Sequence, residues 1–311
     1  MIVSASRRTD IPAFYGEWLL NRLREGFALV RHPFNPLQVT RVSLDPRVVD
    51  GIVFWTKNPA PLLPRLAEIE RLGHRALFQV TLTGCDRDLE PHVPARAEGI
   101  AAFRTLAEQI GPERVLWRFD PILFTATRGP DLLLREFADL AAALRGFTRQ
   151  CTVSFLSLYA KCRHNLAGIA LLHPDDGDRI DFVRQLAMIA AENDIVLRAC
   201  CDVFLHEQCG IEAARCIDDR LLTEVWGRPG VPKAKGQRPG CHCATSIDIG
   251  AYNTCPHGCR YCYANVSARA VAANVARHDP RSPLLTGSLT GRERVTERKI
   301  VARRAFQGTL W

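Results

Sequence analysis

Six short runs of apolar, β-branched or aromatic residues recur in the first two-thirds of the chain, at 2–6, 51–56, 76–82, 115–120, 151–158 and 194–200. Each has strand length and strand composition. Between them lie longer stretches with apolar residues at helical spacing, for example 14–25, 61–72, 96–110, 131–144 and 179–193. Strands separated by helices of this size predict βα units and a parallel sheet. Six units suit a closed or partly closed barrel better than an open doubly wound sheet. No glycine-rich dinucleotide fingerprint follows any of the runs.

Polar residues gather where these runs end. The first leads into Ser6, Arg7, Arg8, Thr9 and Asp10, and the second into Lys57 and Asn58. The third ends at Thr81 and Thr83, and the fourth reads Trp117-Arg118-Phe119-Asp120. Tyr159 and Lys161 follow the fifth. In a βα barrel these ends share one mouth, where active sites are built, so a polar ligand pocket is expected there. Arg118 and Asp120, two apart on a strand, point to the same face. An internal ion pair and a ligand contact are both open to them.

The remaining third is dominated by cysteine. Nine of the chain's 12 cysteines fall between 200 and 262. Met1 leads straight into a strand without the pattern of a signal peptide, which predicts a cytoplasmic protein. In that reducing compartment clustered thiols hold metal or do redox chemistry rather than pair as disulfides. Cys85, Cys151 and Cys162 stand apart and read as small buried hydrophobes.

Two groups stand out. Cys255, Cys259 and Cys262 lie on one short loop as C-x3-C-x2-C, with Tyr261 before the last. A zinc site wants a fourth protein ligand, which His257 or Cys243 can supply, but zinc gives no reason for this spacing or for the tyrosine. Three thiolates on a four-iron cluster leave one iron open. The second group is Cys200 or Cys201 with Cys216, Cys241 and Cys243, enough thiolates for a closed site holding a second four-iron cluster or a zinc ion. His206, His242 and His257 read as hydrogen-bonding neighbours of these groups rather than ligands.

The Cys255–Cys262 loop resembles the signature of radical S-adenosylmethionine (SAM) enzymes, although there the motif usually follows the first barrel strand. With Ser4-Ala-Ser6-Arg7-Arg8-Thr9-Asp10-Ile11-Pro12 near the start and Ser246-Ile-Asp248-Ile-Gly250-Ala-Tyr252-Asn253-Thr254-Cys255 near the end, the chain resembles an uncharacterised microbial family of radical-SAM-like iron–sulfur proteins. The resemblance implies a six-unit partial barrel and a [4Fe-4S] cluster on Cys255, Cys259 and Cys262. It also implies SAM as cosubstrate, cleaved to a 5′-deoxyadenosyl radical that abstracts hydrogen from a substrate. It sets Tyr261 near the adenine of SAM and favours Cys200 as first ligand of the second group, since family members have a cysteine, a small residue and an acid there. Arg7, Arg8 and Arg118 match a carboxylate in two hydrogen bonds, while Asp10 and Asp120 suit the ribose or anchor those arginines. In a closed ring a loop after the last strand lies beside the first, so the cysteine loop is expected over the same mouth as Arg7–Asp10.

The expected organisation is a βα barrel over 1–200, a cysteine-rich extension over 201–268 and a helical tail over 269–311, with the mixed-charge stretch 291–299 as a solvated helix face. A net charge of +8 leaves a zinc-stabilised nucleic-acid-binding protein as a rival, and an iron–sulfur electron-transfer protein without SAM is another. The enzyme reading requires a cellular reductant of ferredoxin or flavodoxin type. No apolar run approaches the length of a membrane span.

Overall fold

The computed structural model describes residues 1–227 and 231–298, apart from the side chain of Lys161. Eight strands form one parallel sheet: β1 (Ile2–Ala5), β2 (Gly51–Thr56), β3 (Ala76–Thr81), β4 (Val115–Ile122), β5 (Gln150–Phe155), β6 (Val196–Ala199), β7 (Glu212–Ala213) and β8 (Ser246–Asp248). Their order is β7-β6-β5-β4-β3-β2-β1-β8. The first six are the runs expected from the sequence. The expected parallel α/β class is present, with two further short strands. No ladder joins β7 to β8 among the described residues.

Helices α1 (Gly16–Glu25), α2 (Leu66–Arg71), α3 (Arg96–Ile110), α4 (Pro130–Leu144) and α5 (Asp176–Glu192) connect the strands. Strand side chains alternate between faces. Val3, Phe54, Phe78, Trp117 and Val153 pack with Trp18, Phe103, Phe137 and Phe182 of the helices. Phe54 stacks on Phe78 at 4.7 Å, and Trp117 on Phe137 at 4.8 Å. Residues one position away, Ile2, Val53, Leu77 and Leu116, face the opposite way and meet Cys200, Cys216, Cys241 and Cys243.

That second face is covered because of the strand order. β7 and β8 are the two edges, so the segment joining them must travel from one edge to the other. It does so across the face the helices leave bare, held there by the Gln79 amide donating to the Cys216 carbonyl (3.0 Å), while Ala244 N–H donating to the Ile217 carbonyl (2.9 Å) ties its two ends to each other.

Outside the sheet, Phe27–His32 and Asn35–Ser43 form an antiparallel pair between β1 and β2 that the pattern of βα units did not include. The tail also departs from expectation. Ala268–Val275 is a helix, but Arg294–Glu297 is a strand running parallel to Asn35–Ser43, not a helix face. A free strand edge supplies its backbone partners, so pairing overrides the mixed-charge pattern. The stretch 299–311 lies outside the described residues. None of the helices described is long and apolar enough to cross a membrane.

Candidate functional site

β8 delivers the cysteine loop to its place. Ile2, Val3 and Ser4 pair in register with Ser246, Ile247 and Asp248. The Asp248 carboxylate then gathers the exit of β1, accepting from Ser4 Oγ (3.1 Å), Ser6 Oγ (2.7 Å), Arg7 N–H (2.7 Å), Arg8 Nε (3.0 Å) and Gly250 N–H (3.0 Å). Gly250 permits this approach: a Cβ there would stand 2.1 Å from Ser6 Oγ. The paired segments quoted from the two ends of the chain are thus one structural unit.

The loop from Cys255 to Cys262 lies against that unit, as expected. His257 Nε2 stands 2.8 Å from Asp10 Oδ2, and the Tyr263 hydroxyl donates to the Arg7 carbonyl at 2.7 Å. The Tyr15 hydroxyl holds the Thr254 carbonyl, and the Asn265 amide donates to the Cys255 carbonyl. Gly258, at φ +72°, makes the turn between the first two cysteines, a left-handed conformation that costs glycine little.

The three thiols are electrostatic neighbours: Cys259 senses both Cys255 and Cys262, and Cys255 senses Cys262. Burial pushes the Cys255 thiol up to about 12, Asp10 adds to it, and backbone N–H groups of His257 and Asp10 work the other way. Burial likewise lifts Cys259 well above its ordinary value, opposed by the Lys57 ammonium. Ala264 N–H donates to Cys262 Sγ at 3.3 Å.

Beneath the loop lies a buried polar set. Glu90 accepts from Lys57 Nζ (2.9 Å), Thr83 Oγ1 (2.9 Å) and the Tyr261 hydroxyl. Burial disfavours both charges, yet Lys57 holds Glu90 below the usual carboxylate range, and Glu90 with Cys259 holds Lys57 above the usual ammonium range. Tyr261, expected near an adenine, is buried and packed among Leu89, Leu123, Cys162 and Leu166. Its hydroxyl is committed to Glu90.

The second group converges on the sheet face opposite the helices. Cys200 Sγ is 3.3 Å from Cys216 Sγ and 3.9 Å from Cys201 Sγ. Cys216 also contacts the thiol of Cys243, and Cys201 that of Cys241. Cys200 and Cys201 thus both stand in one group of five thiols. Hydrogen bonds from Cys200 and Cys243, with Arg118 adding its charge, hold Cys216 well below the usual thiol range.

Arg118 and Asp120 share a face and bind each other, Nε to Oδ1 at 2.9 Å. Arg118 also donates to Cys216 Sγ at 3.1 Å and to Gln79 Oε1 at 3.3 Å. The ion pair weighed from sequence is thus formed, and its free edge faces the second thiol group. Arg7 lies over Trp55 at 5.8 Å and donates to Ser246 Oγ, while Arg8 is spent on Asp248. Asp10 caps the short helix Ile11–Phe14 and accepts from Lys57 N–H, so it locks the loop as well as lining it. Tyr159 is exposed, 6.0 Å from the ring of Tyr263, and accepts from Arg238; the side chain of Lys161 lies outside the described structure.

Sequence reading passed over Lys57, Glu90 and Asp248. Lys57 sat at a strand exit and Asp248 in a quoted segment, but Glu90 carried no local signal. Among the described residues no three His, Cys, Asp or Glu side chains stand around a common point in metal-binding geometry. The sulfur contacts are pairwise.

These features define a cysteine-rich protein of parallel α/β architecture, with a thiol loop beside the first strand and a second thiol group on the far sheet face. The chain belongs to the uncharacterised family described as Domain of unknown function (DUF1848), whose model matches residues 2–264. No curated protein matches it.

Proposed function

We propose that this chain is a radical SAM-type iron–sulfur enzyme built on a partial βα barrel. The observation that carries the reading is the parallel pairing of β8 with β1, which sets Cys255, Cys259 and Cys262 beside the exit of the first strand. Loops at that end form the ligand site of parallel barrels.

Curling of the sheet is supported by the Ala244–Ile217 hydrogen bond. Laid flat, eight strands hold their edges about 34 Å apart. The four residues from Ala213 to Ile217 and the two from Ala244 to Ser246, with the bond between them, span no more than about 28 Å. This difference supports a sheet whose edges are drawn together.

The donor set fits a cluster. Three soft thiols share one loop, backbone N–H groups are aimed at the sulfurs of Cys255 and Cys262, and the Lys57 ammonium offsets thiolate charge at Cys259. When bound, such a cluster supplies the electron for reductive cleavage of SAM. The chain's own residues would then bind and orient. Arg7, beside the loop, suits the SAM carboxylate; Asp10 and His257 keep the loop against the strand exit; Tyr261 and Glu90 keep water from beneath it. The thiols around Cys200 and Cys216 are a second metal centre. The enzyme draws electrons from a cytoplasmic reductant of ferredoxin or flavodoxin type.

The test is electron paramagnetic resonance of anaerobically reconstituted, reduced protein with and without SAM. A four-iron signal that shifts with SAM and is lost in Cys259→Ala is expected. A signal indifferent to SAM leaves an electron-transfer protein. Zinc at the three-cysteine loop in place of iron ends the reading and favours the nucleic-acid rival.

A further inference from the structure

The geometry points to a single zinc-type ion, not an iron–sulfur cluster, held by Cys200, Cys216, Cys241 and Cys243. The inference deepens the second metal centre named above and does not depend on SAM.

Its first support is spacing. Two thiolates bound at about 2.3 Å to one tetrahedral zinc lie about 3.8 Å apart. Cys200 Sγ and Cys216 Sγ stand 3.3 Å apart, near that value, and Cys216 also contacts the thiol of Cys243. Ligands of a four-iron cluster sit on four different metal atoms and stand much farther apart. A single ion requires the thiols to converge from their pairwise contacts, whereas a cluster must also spread them apart.

Burial selects which four thiols ligate. Cys200, Cys216, Cys241 and Cys243 are each less than a tenth exposed, whereas Cys201 is only half-buried. A closed structural site shields its ion from water. The four buried thiols come from the end of β6, the stretch after β7 and the C-x-C before β8, the three places where the chain enters, crosses and leaves this face. One ion there clasps the crossing segment to the sheet. Arg118, donating to Cys216 Sγ at 3.1 Å, supplies positive charge and a hydrogen bond to a thiolate ligand. Cys201, at φ +53°, is the fifth thiol, turned towards the group but outside the four.

Metal analysis of the triple variant Cys255→Ala/Cys259→Ala/Cys262→Ala isolates this site, because the three-cysteine loop is gone. After expression with both metals supplied, about one zinc per chain and no sulfide-bound iron is expected, with four sulfurs near 2.3 Å by zinc-edge X-ray absorption. Zinc should persist when Cys201→Ser is added and be lost with Cys216→Ser. Should the triple variant fold poorly, the same zinc count and absorption spectrum are read on the full-sequence protein. Iron with inorganic sulfide in the triple variant, or no bound metal at all, overturns the inference. Neither result bears on the SAM-dependent signal, which is read separately.

Discussion

His257 Nε2 lies 2.8 Å from Asp10 Oδ2 although 247 positions separate them in sequence. The contact ties the cysteine loop to the exit of β1. Asp10 keeps its other partners, the N–H groups of Ala13 and Lys57, when the histidine is removed. His257→Ala should therefore loosen the loop without unravelling the strand exit, at a cost of about 1–3 kcal/mol. Urea unfolding measures the cost. Faster proteolysis within 255–262 should accompany it, and an unchanged cleavage rate there would count against the lock.

Gly250 is a steric requirement. An added Cβ meets Ser6 Oγ at 2.1 Å and Ser6 Cβ at 2.5 Å, and Ser6 is itself bound to Asp248. Gly250→Ala should cost about 1–3 kcal/mol. Gly129→Ala, where nothing lies within 4 Å of the new atom, is the control and should cost no more than about 1 kcal/mol, the penalty of alanine at the N-cap of α4. Thermal unfolding of the two variants side by side decides the point.

The Lys57–Glu90 pair should behave as a buried ion pair. Lys57→Met leaves Glu90 charged and short of a partner, costing about 3–5 kcal/mol. The double variant Lys57→Met/Glu90→Gln should lose less than the sum of the single changes, which a double-mutant cycle measures.

That pair also has a pH signature. Glu90 titrates below its ordinary value, so its contribution is complete above about pH 4.3 and is lost as pH falls through the lower folded value. Lys57 titrates above its ordinary value; its contribution is complete below about pH 10.4 and is lost as pH rises through the higher folded value. Glu90→Gln should flatten the acid limb of a stability–pH curve below about pH 4.3. A limb unchanged in the variant would place the acid sensitivity elsewhere.

Asp248 accepts five hydrogen bonds around the exit of β1. Asp248→Asn keeps the shape but gives up the charge and one acceptor oxygen. A loss of about 2–3 kcal/mol is expected, because bonds to a charged group exceed neutral ones. Hydrogen exchange should report the loss at Arg7 and Gly250, whose N–H groups donate to this carboxylate; protection unchanged at both amides would refute its role as a hub.

The strands and the class of fold were legible because apolar periodicity is a local property. Runs such as 51–56 and 76–82 needed no partner to be recognised, and the buried sheet then enforced their alternation. The two thiol groups were legible because nine of the 12 cysteines crowd between 200 and 262. Glu90 was not legible: an acid in a loop acquires meaning only when Lys57, Thr83 and Tyr261 arrive from three other places. The bond from Tyr261 to Glu90 was hidden for the same reason, because an aromatic residue beside a cysteine does not reveal which way its ring will turn. The strand Arg294–Glu297 was hidden because its partner lies more than 250 positions upstream.

The sequence by itself determined the parallel α/β class, the six principal strands and the concentration of thiols near the end of the chain. These rest on side-chain chemistry and on spacing along the backbone. Only the tertiary structure decided that β8 pairs with β1, that the crossing segment covers the bare sheet face, and that Cys201 joins the other four thiols. Those contacts form between residues distant in sequence, and their partners are set by strand order and packing, which no local pattern encodes.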